Sequence, residues 1–122
     1  MRTIGIGVDV VEVARFAELL RRQPRLESRL FTEGERRDAQ GQVERLAARF
    51  AAKEATLKAF GVGLGAMKWH EMEVVRASTG APSLTLHGAA RALGEARGVR
   101  DVLLSQSHTD KTATAFVVAQ GD

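Results

Sequence analysis

The chain has 122 residues, 44% of them apolar and 27% charged, with a formal net charge of +3. That is one domain's worth of a folded rather than disordered chain, and a cationic surplus this small argues against a dedicated nucleic-acid coat while allowing an acidic partner to be steered in. Having no cysteine, the chain has no disulfide, thiolate zinc site or cysteine nucleophile.

With no Tyr and one Trp, aromatic residues that could stack on nucleic-acid bases are few. No apolar run approaches the ~20 residues that cross a bilayer, and Met1 to Asp9 reads as a strand rather than a signal peptide. The expectation is a cytoplasmic protein with neither nucleic-acid nor membrane partners. Aromatics are only 5%, so the core is built from Ala, Val and Leu, which leaves subunit contacts as a further source of burial.

Ile4, Ile6, Val8 and Val10 alternate with Gly5, Gly7 and Asp9, which predicts a strand over 3–10. Its second face is bare glycine backbone ending in a carboxylate, a pattern that marks close approach of a ligand or another backbone. Val13, Phe16, Ala17 and Leu20 recur at helical spacing before Pro24. The polar side of that helix and the turn after it carry Arg15, Arg21, Arg22, Arg25 and Arg29. Thr32 and Glu35 form a capping-box pattern opening a second helix, interrupted at Gly41. The longest helical pattern runs from Gln42 to Phe60 and stops at Gly61, Gly63 and Gly65. Residues 69–76 and 83–87 predict two strands, Ala89 to Ala96 a short helix, and residues 100–107 and 112–119 a final strand pair. The order predicts an α+β fold: one domain spanning 1–122, helices packed on one side of a largely antiparallel sheet.

Glu54 falls on the apolar stripe of the long helix, four residues after Phe50 and three before Leu57. A carboxylate there must be paired or bind a metal. The bland reading is an i,i+4 ion pair with Lys58; Arg49 and Lys53 read as a solvated face. Asp9 suits the dipole of the first helix, or serves as a ligand at the end of the glycine-lined strand. Asp9 with Glu54 would make a hard oxygen site, suited to Mg²⁺ rather than Zn²⁺. His108 lies in a polar turn, and the Gly61–Gly65 run lacks the Gly-Lys-Ser/Thr and the preceding strand of a phosphate loop.

Three segments together carry a resemblance: Gly5-Ile6-Gly7-Val8-Asp9 followed by Glu12 and Arg15-Phe16, Arg49 through Ala55 with Lys58-Ala59-Phe60-Gly61, and Ser105-Gln106-Ser107-His108. In that order and spacing they resemble the holo-acyl-carrier-protein synthases, the small bacterial type of 4′-phosphopantetheinyl transferase. The resemblance implies transfer of phosphopantetheine from coenzyme A to a serine of apo acyl carrier protein, releasing adenosine 3′,5′-bisphosphate. It implies that Asp9 and Glu54 hold Mg²⁺, and that Lys58 faces the same phosphates. It further implies that Gly5 and Gly7 let the cofactor come near, and that Arg49, Lys53 and His108 line the coenzyme A pocket. Glu54, Lys58 and His108 are the implied catalytic residues, with deprotonation of the serine open between Glu54 and a water on the metal. Arg15, Arg22 and Arg25 match the surface that docks the acidic carrier, and the resemblance implies a homotrimer with active sites between subunits. Three departures stand out: Val62 where many relatives have Thr, Gln106 where an aliphatic residue is usual, and an acid, Asp110, two places after His108. A non-catalytic module that binds coenzyme A or a carrier protein is the alternative.

Overall fold

The computed structural model describes all 122 residues. Strand β1 (Arg2–Glu12) is followed by helices α1 (Val13–Arg22), α2 (Leu26–Leu30), α3 (Glu33–Ala39) and α4 (Val43–Ala59). After a 3-10 turn at Trp69–Glu71 come β2 (Met72–Arg76), β3 (Pro82–Leu86), α5 (Gly88–Ala96), β4 (Val99–His108) and β5 (Thr112–Gly121). All strand pairing is antiparallel, in the order β1-β5-β4 in one sheet and β2-β3 in another. The α+β class holds, but the strands divide between two sheets. Period-two patterning fixes which residues are strands and which face they bury, and carries no information on which edges pair. Two smaller differences are local. Leu26–Leu30, expected as a turn, closes a single helical turn that buries Leu30, and the first three residues of the expected strand 69–76 form the 3-10 turn.

Helix α4 organises the molecule. It is rich in alanine, the best helix former, and it ends in a Schellman motif: Val62 N–H donates to Leu57 O and Gly61 N–H to Lys58 O, both at 3.0 Å, with Gly61 at φ 66°. Its buried Ala48, Ala51, Ala52, Ala55 and Ala59 meet a β5 face that is buried at Ala113, Ala115, Val117 and Ala119. Small residues on both sides allow close approach, and closest of all is the contact with β1. A Cβ on Gly5 would overlap the carbonyl oxygen of Ala59, and one on Gly7 that of Ala55. The glycine face of β1 therefore exists to admit the backbone of α4.

The other face of the three-stranded sheet is uncovered. Strand register aligns Ile6, Val118 and Leu103 in one row and Val8 with Phe116 in the next; Ile6, Val8, Val10, Leu103 and Phe116 are exposed.

Candidate active site

Two clusters of polar side chains lie on opposite flanks of α4. On the first flank are Glu54 and Lys58, one helical turn apart, beside Asp9 of β1. Lys58 Nζ donates to Val8 O at 3.0 Å and to Asp9 Oδ1 at 3.1 Å. The expected Glu54–Lys58 ion pair is thus replaced by an Asp9–Lys58 pair. Glu54 is half-buried, and its carboxyl is pushed above the usual range, first by burial and then by the negative charge of Asp9, with Lys58 pulling the other way. Asp9 lies within β1 and not in the first turn of α1, which has no acid there. Two carboxylates sharing one lysine leave negative charge in excess.

That donor set fits Mg²⁺. It offers hard oxygen ligands only, and the chain holds no group of three or more His, Asp or Glu that would cage a metal by itself. Mg²⁺ commonly takes one or two carboxylates and leaves its remaining positions to water and substrate phosphate. Asp9 also opens onto a groove of about 350 Å³ shared with Arg15, Phe16 and Leu19 of α1 and with Phe50. Asp9 is thereby connected to the basic helix.

On the second flank, a cavity of about 200 Å³ between α4 and β4 is lined by Arg45, Arg49, Arg76, Gln106 and His108. Arg49 is 5% exposed and donates through one terminal nitrogen to Arg45 O at 3.1 Å. Burial pushes its guanidinium downward; Asp38 and Glu35 oppose that, and the like charges of Arg76 and Arg45 add to it. An anion in the cavity would relieve this crowding of cations. The Nε of Arg49 and the Oε1 of Gln106 are both buried without a hydrogen-bond partner.

The separation of the two clusters follows from helix and sheet geometry. Glu54 and Arg49 are five residues apart on α4, hence about 140° apart around its axis. Beneath them, Asp9, Ala115 and Gln106 form one row across the sheet, which puts Asp9 and Gln106 about 10 Å apart. Between them Ala115 is buried under α4.

A family model for the 4′-phosphopantetheinyl transferase superfamily matches residues 5–116. The chain belongs to that superfamily. The holo-[acyl-carrier-protein] synthase of Clavibacter sepedonicus is 52% identical over 118 residues, covering 97% of this chain and 96% of the relative. Among solved structures, the holo-[acyl-carrier-protein] synthase from Neisseria meningitidis matches with a TM-score of 0.89 at 34% identity, over 98% of this chain and 99% of that one. The Chronobacterium ammoniagenes ACPS–CoA complex matches with a TM-score of 0.85 at 33% identity, over 100% and 99%. The chain is accordingly a phosphopantetheinyl transferase of the holo-acyl-carrier-protein synthase kind.

In this transferase the residues singled out from the sequence fall into four groups. Asp9, Glu54 and Lys58 come together on one flank, and Arg49 and His108 on the other. Arg15, Arg22 and Arg25 are exposed on and just after α1, where Glu18 binds both Arg21 and Arg22 and Arg15 stands 3.7 Å from Glu12. The fourth group is corrected. Gly5 and Gly7 face the α4 backbone, so the close approach they permit is that of the helix and not of a cofactor. Lys53 is neither on a solvated face nor open to a ligand. It is fully buried, with Nζ 2.8 Å from both Glu35 Oε1 and Trp69 O.

Glu35 was legible only as a helix cap. It does close the capping box with Thr32, and its carboxylate also accepts from Val74 N at 2.9 Å and from Lys53. Arg45 and Arg76 are the cavity-lining residues that sequence reading missed. Arg45 stands one turn before Arg49, a spacing that signals a shared helix face; Arg76 has no such signal, because it reaches the cavity through the β2-β3 hairpin. No helix of the transferase is long and apolar enough to cross a membrane.

Proposed function

We propose that this transferase moves 4′-phosphopantetheine from coenzyme A to a serine of an apo acyl carrier protein, with Mg²⁺ held by Asp9 and Glu54. The observation that carries this is the carboxylate pair: Lys58 pairs with Asp9 rather than with Glu54, Glu54 is raised by burial and by the charge of Asp9, and Asp9 opens onto a groove that leads to a basic helix. The relatives named as holo-acyl-carrier-protein synthases and the coenzyme A complex supply the substrates. Serine Oγ bonds to the phosphorus that bears pantetheine, the P–O bond to adenosine 3′,5′-bisphosphate breaks with its electron pair, and the hydroxyl proton is released. Bound Mg²⁺ supplies charge neutralisation at the pyrophosphate. Lys58 is held against Asp9 with its ammonium half-exposed, so it can donate to the same phosphate oxygens as charge develops on them. Intact-mass spectrometry of apo carrier protein incubated with the transferase, coenzyme A and Mg²⁺ tests the proposal. A gain of one phosphopantetheine that disappears with EDTA is expected; coenzyme A binding without any gain would leave the non-catalytic reading.

Carrier docking falls to Arg15, Arg22 and Arg25. Arg15 lines the same groove as Asp9, so an acidic protein seated on α1 presents its serine to the carboxylate pair. Arg15→Glu is expected to raise KM for carrier protein about tenfold at low salt, with the gap closing as salt screens the contact. An unchanged KM at low salt would remove α1 from the docking surface.

The working unit is a homotrimer with its active sites between subunits. Two observations favour shared sites. The apolar sheet face of Ile6, Val8, Val10, Leu103 and Phe116 is exposed and suits burial against another subunit, and α4 stands between the carboxylate pair and the His108 cavity of the same chain, so coenzyme A contacting both would span two chains. Light scattering should give three times the 13.2 kDa chain mass, and Val8→Glu should lower it; a monodisperse monomer with full activity would refute the shared site.

A further inference from the structure

The cavity between α4 and β4 holds an unmatched pair of polar atoms that phosphate recognition alone does not explain. Arg45, Arg49 and Arg76 suit an anion, but Gln106 Oε1 is an acceptor, and it is buried without a donor. On the same cavity, Arg49 Nε is a donor buried without an acceptor. Leaving such groups unsatisfied is costly, so the cavity is complementary to a ligand that brings both an N–H or O–H and a negatively charged oxygen. A nucleotide does this: its phosphate accepts, and its base amino group or ribose hydroxyl donates. Strand alternation aims Gln106 here. Val102 and Leu104 of β4 pack on the core, and Gln106 and His108 continue the same face beyond it.

Resting on the reading that coenzyme A is the donor substrate, we propose that Gln106 is a specificity-determining residue for its nucleoside, accepting a hydrogen bond from the adenine amino group or the ribose 2′-hydroxyl while Arg49 Nε–H donates to a phosphate oxygen. An aliphatic side chain at this position would seal the cavity wall; the amide instead reads a donor.

The test pairs one variant with two donor analogues. Gln106→Leu removes the acceptor and keeps an apolar body of similar length. Transfer is measured with coenzyme A, with the analogue whose adenine is replaced by hypoxanthine, and with the 2′-deoxyribose analogue. The expected result is a five- to tenfold higher KM for coenzyme A in Gln106→Leu, with KM for carrier protein unmoved. One analogue should show the same loss with the unaltered transferase and no further loss with the variant, which identifies the group that is read. If neither analogue is discriminated by the unaltered protein, or if the variant discriminates as well as the unaltered protein, the proposal is overturned. A lowered Tm in Gln106→Leu with unchanged KM for coenzyme A would also overturn it, because the amide would then be satisfied within the protein. Failure of the unaltered transferase to bind coenzyme A at all would overturn the underlying reading, and this inference with it.

Discussion

Glu54→Gln is expected to lower carrier-protein modification by at least about 10²- to 10³-fold while making the metal-free protein more stable at neutral pH. The loss of activity reflects the removal of one of two charges on which Mg²⁺ depends; losing a charge partner of the reacting phosphates typically costs that much. The gain in stability follows from the direction of the Glu54 shift. Its carboxyl lies above the usual range through burial and the charge of Asp9, so the folded protein holds that proton more tightly than the unfolded chain does. Ionising Glu54 therefore costs stability, a cost absent below the unfolded pKa and complete above the raised folded one. Glutamine never incurs it. Thermal unfolding in EDTA should show the variant melting higher at pH 7, with the advantage fading toward pH 4. Added Mg²⁺ should raise the Tm of the unaltered protein and leave the variant's in place. A variant that keeps near-normal turnover under saturating Mg²⁺ would refute the metal assignment, and one that melts lower at pH 7 would refute the electrostatic account of the site.

The second large effect concerns the residue next door. Lys53→Met is expected to destabilise the protein by about 3–5 kcal/mol, because it strands the Glu35 carboxylate in the core without its counter-charge. Both side chains are fully buried, and the 2.8 Å contact between them ties α3 to the middle of α4. Glu35 also holds Val74 N and Thr32 N at 2.9 Å, so the pair joins α3, α4 and the β2-β3 hairpin at one point. Adding Glu35→Gln to Lys53→Met should recover a large part of the loss, since a neutral amide costs far less to bury than an unpaired carboxylate. Urea unfolding of the two single variants and the double variant measures the coupling. Additive losses would show that the pair contributes nothing as a pair. Lys53 and Glu54 are adjacent in sequence and point to different destinations, one into the core and the other to the flank. The buried pair fixes the stretch of α4 that presents Glu54 beside Asp9.

Helical and strand periodicity, the Thr32–Glu35 capping box and the glycines after α4 were legible from local chemistry, because each depends on neighbours within a few residues. The pairing of individual charged groups is not legible in this way, because it depends on segments that meet only in the folded chain. Lys53 and Glu54 occupy consecutive positions of one helix, and local pattern offers no means to tell which is paired in the core. Phe50 and Leu57 bracket Glu54 on the inward stripe of the pattern, yet the inward surface is set by Gly5 and Gly7, whose missing side chains draw the Ala55 and Ala59 side of α4 against β1. Lys58 lies one turn from Glu54 but reaches Asp9, a residue 49 positions away, since the strand edge lies nearer its ammonium than the preceding turn's carboxylate does.

Fold class and family are readable from the residues alone, because they are carried by side-chain periodicity and by residue types at fixed spacing. What faces what is set by packing. Packing turned the glycine face of β1 into a bed for α4 and buried Lys53 against Glu35. It also set Arg49, Gln106 and His108 on the far flank from Asp9 and Glu54. These outcomes depend on how closely a helix can approach a sheet and on which side of its axis each residue then falls, quantities that arise only when distant segments pack.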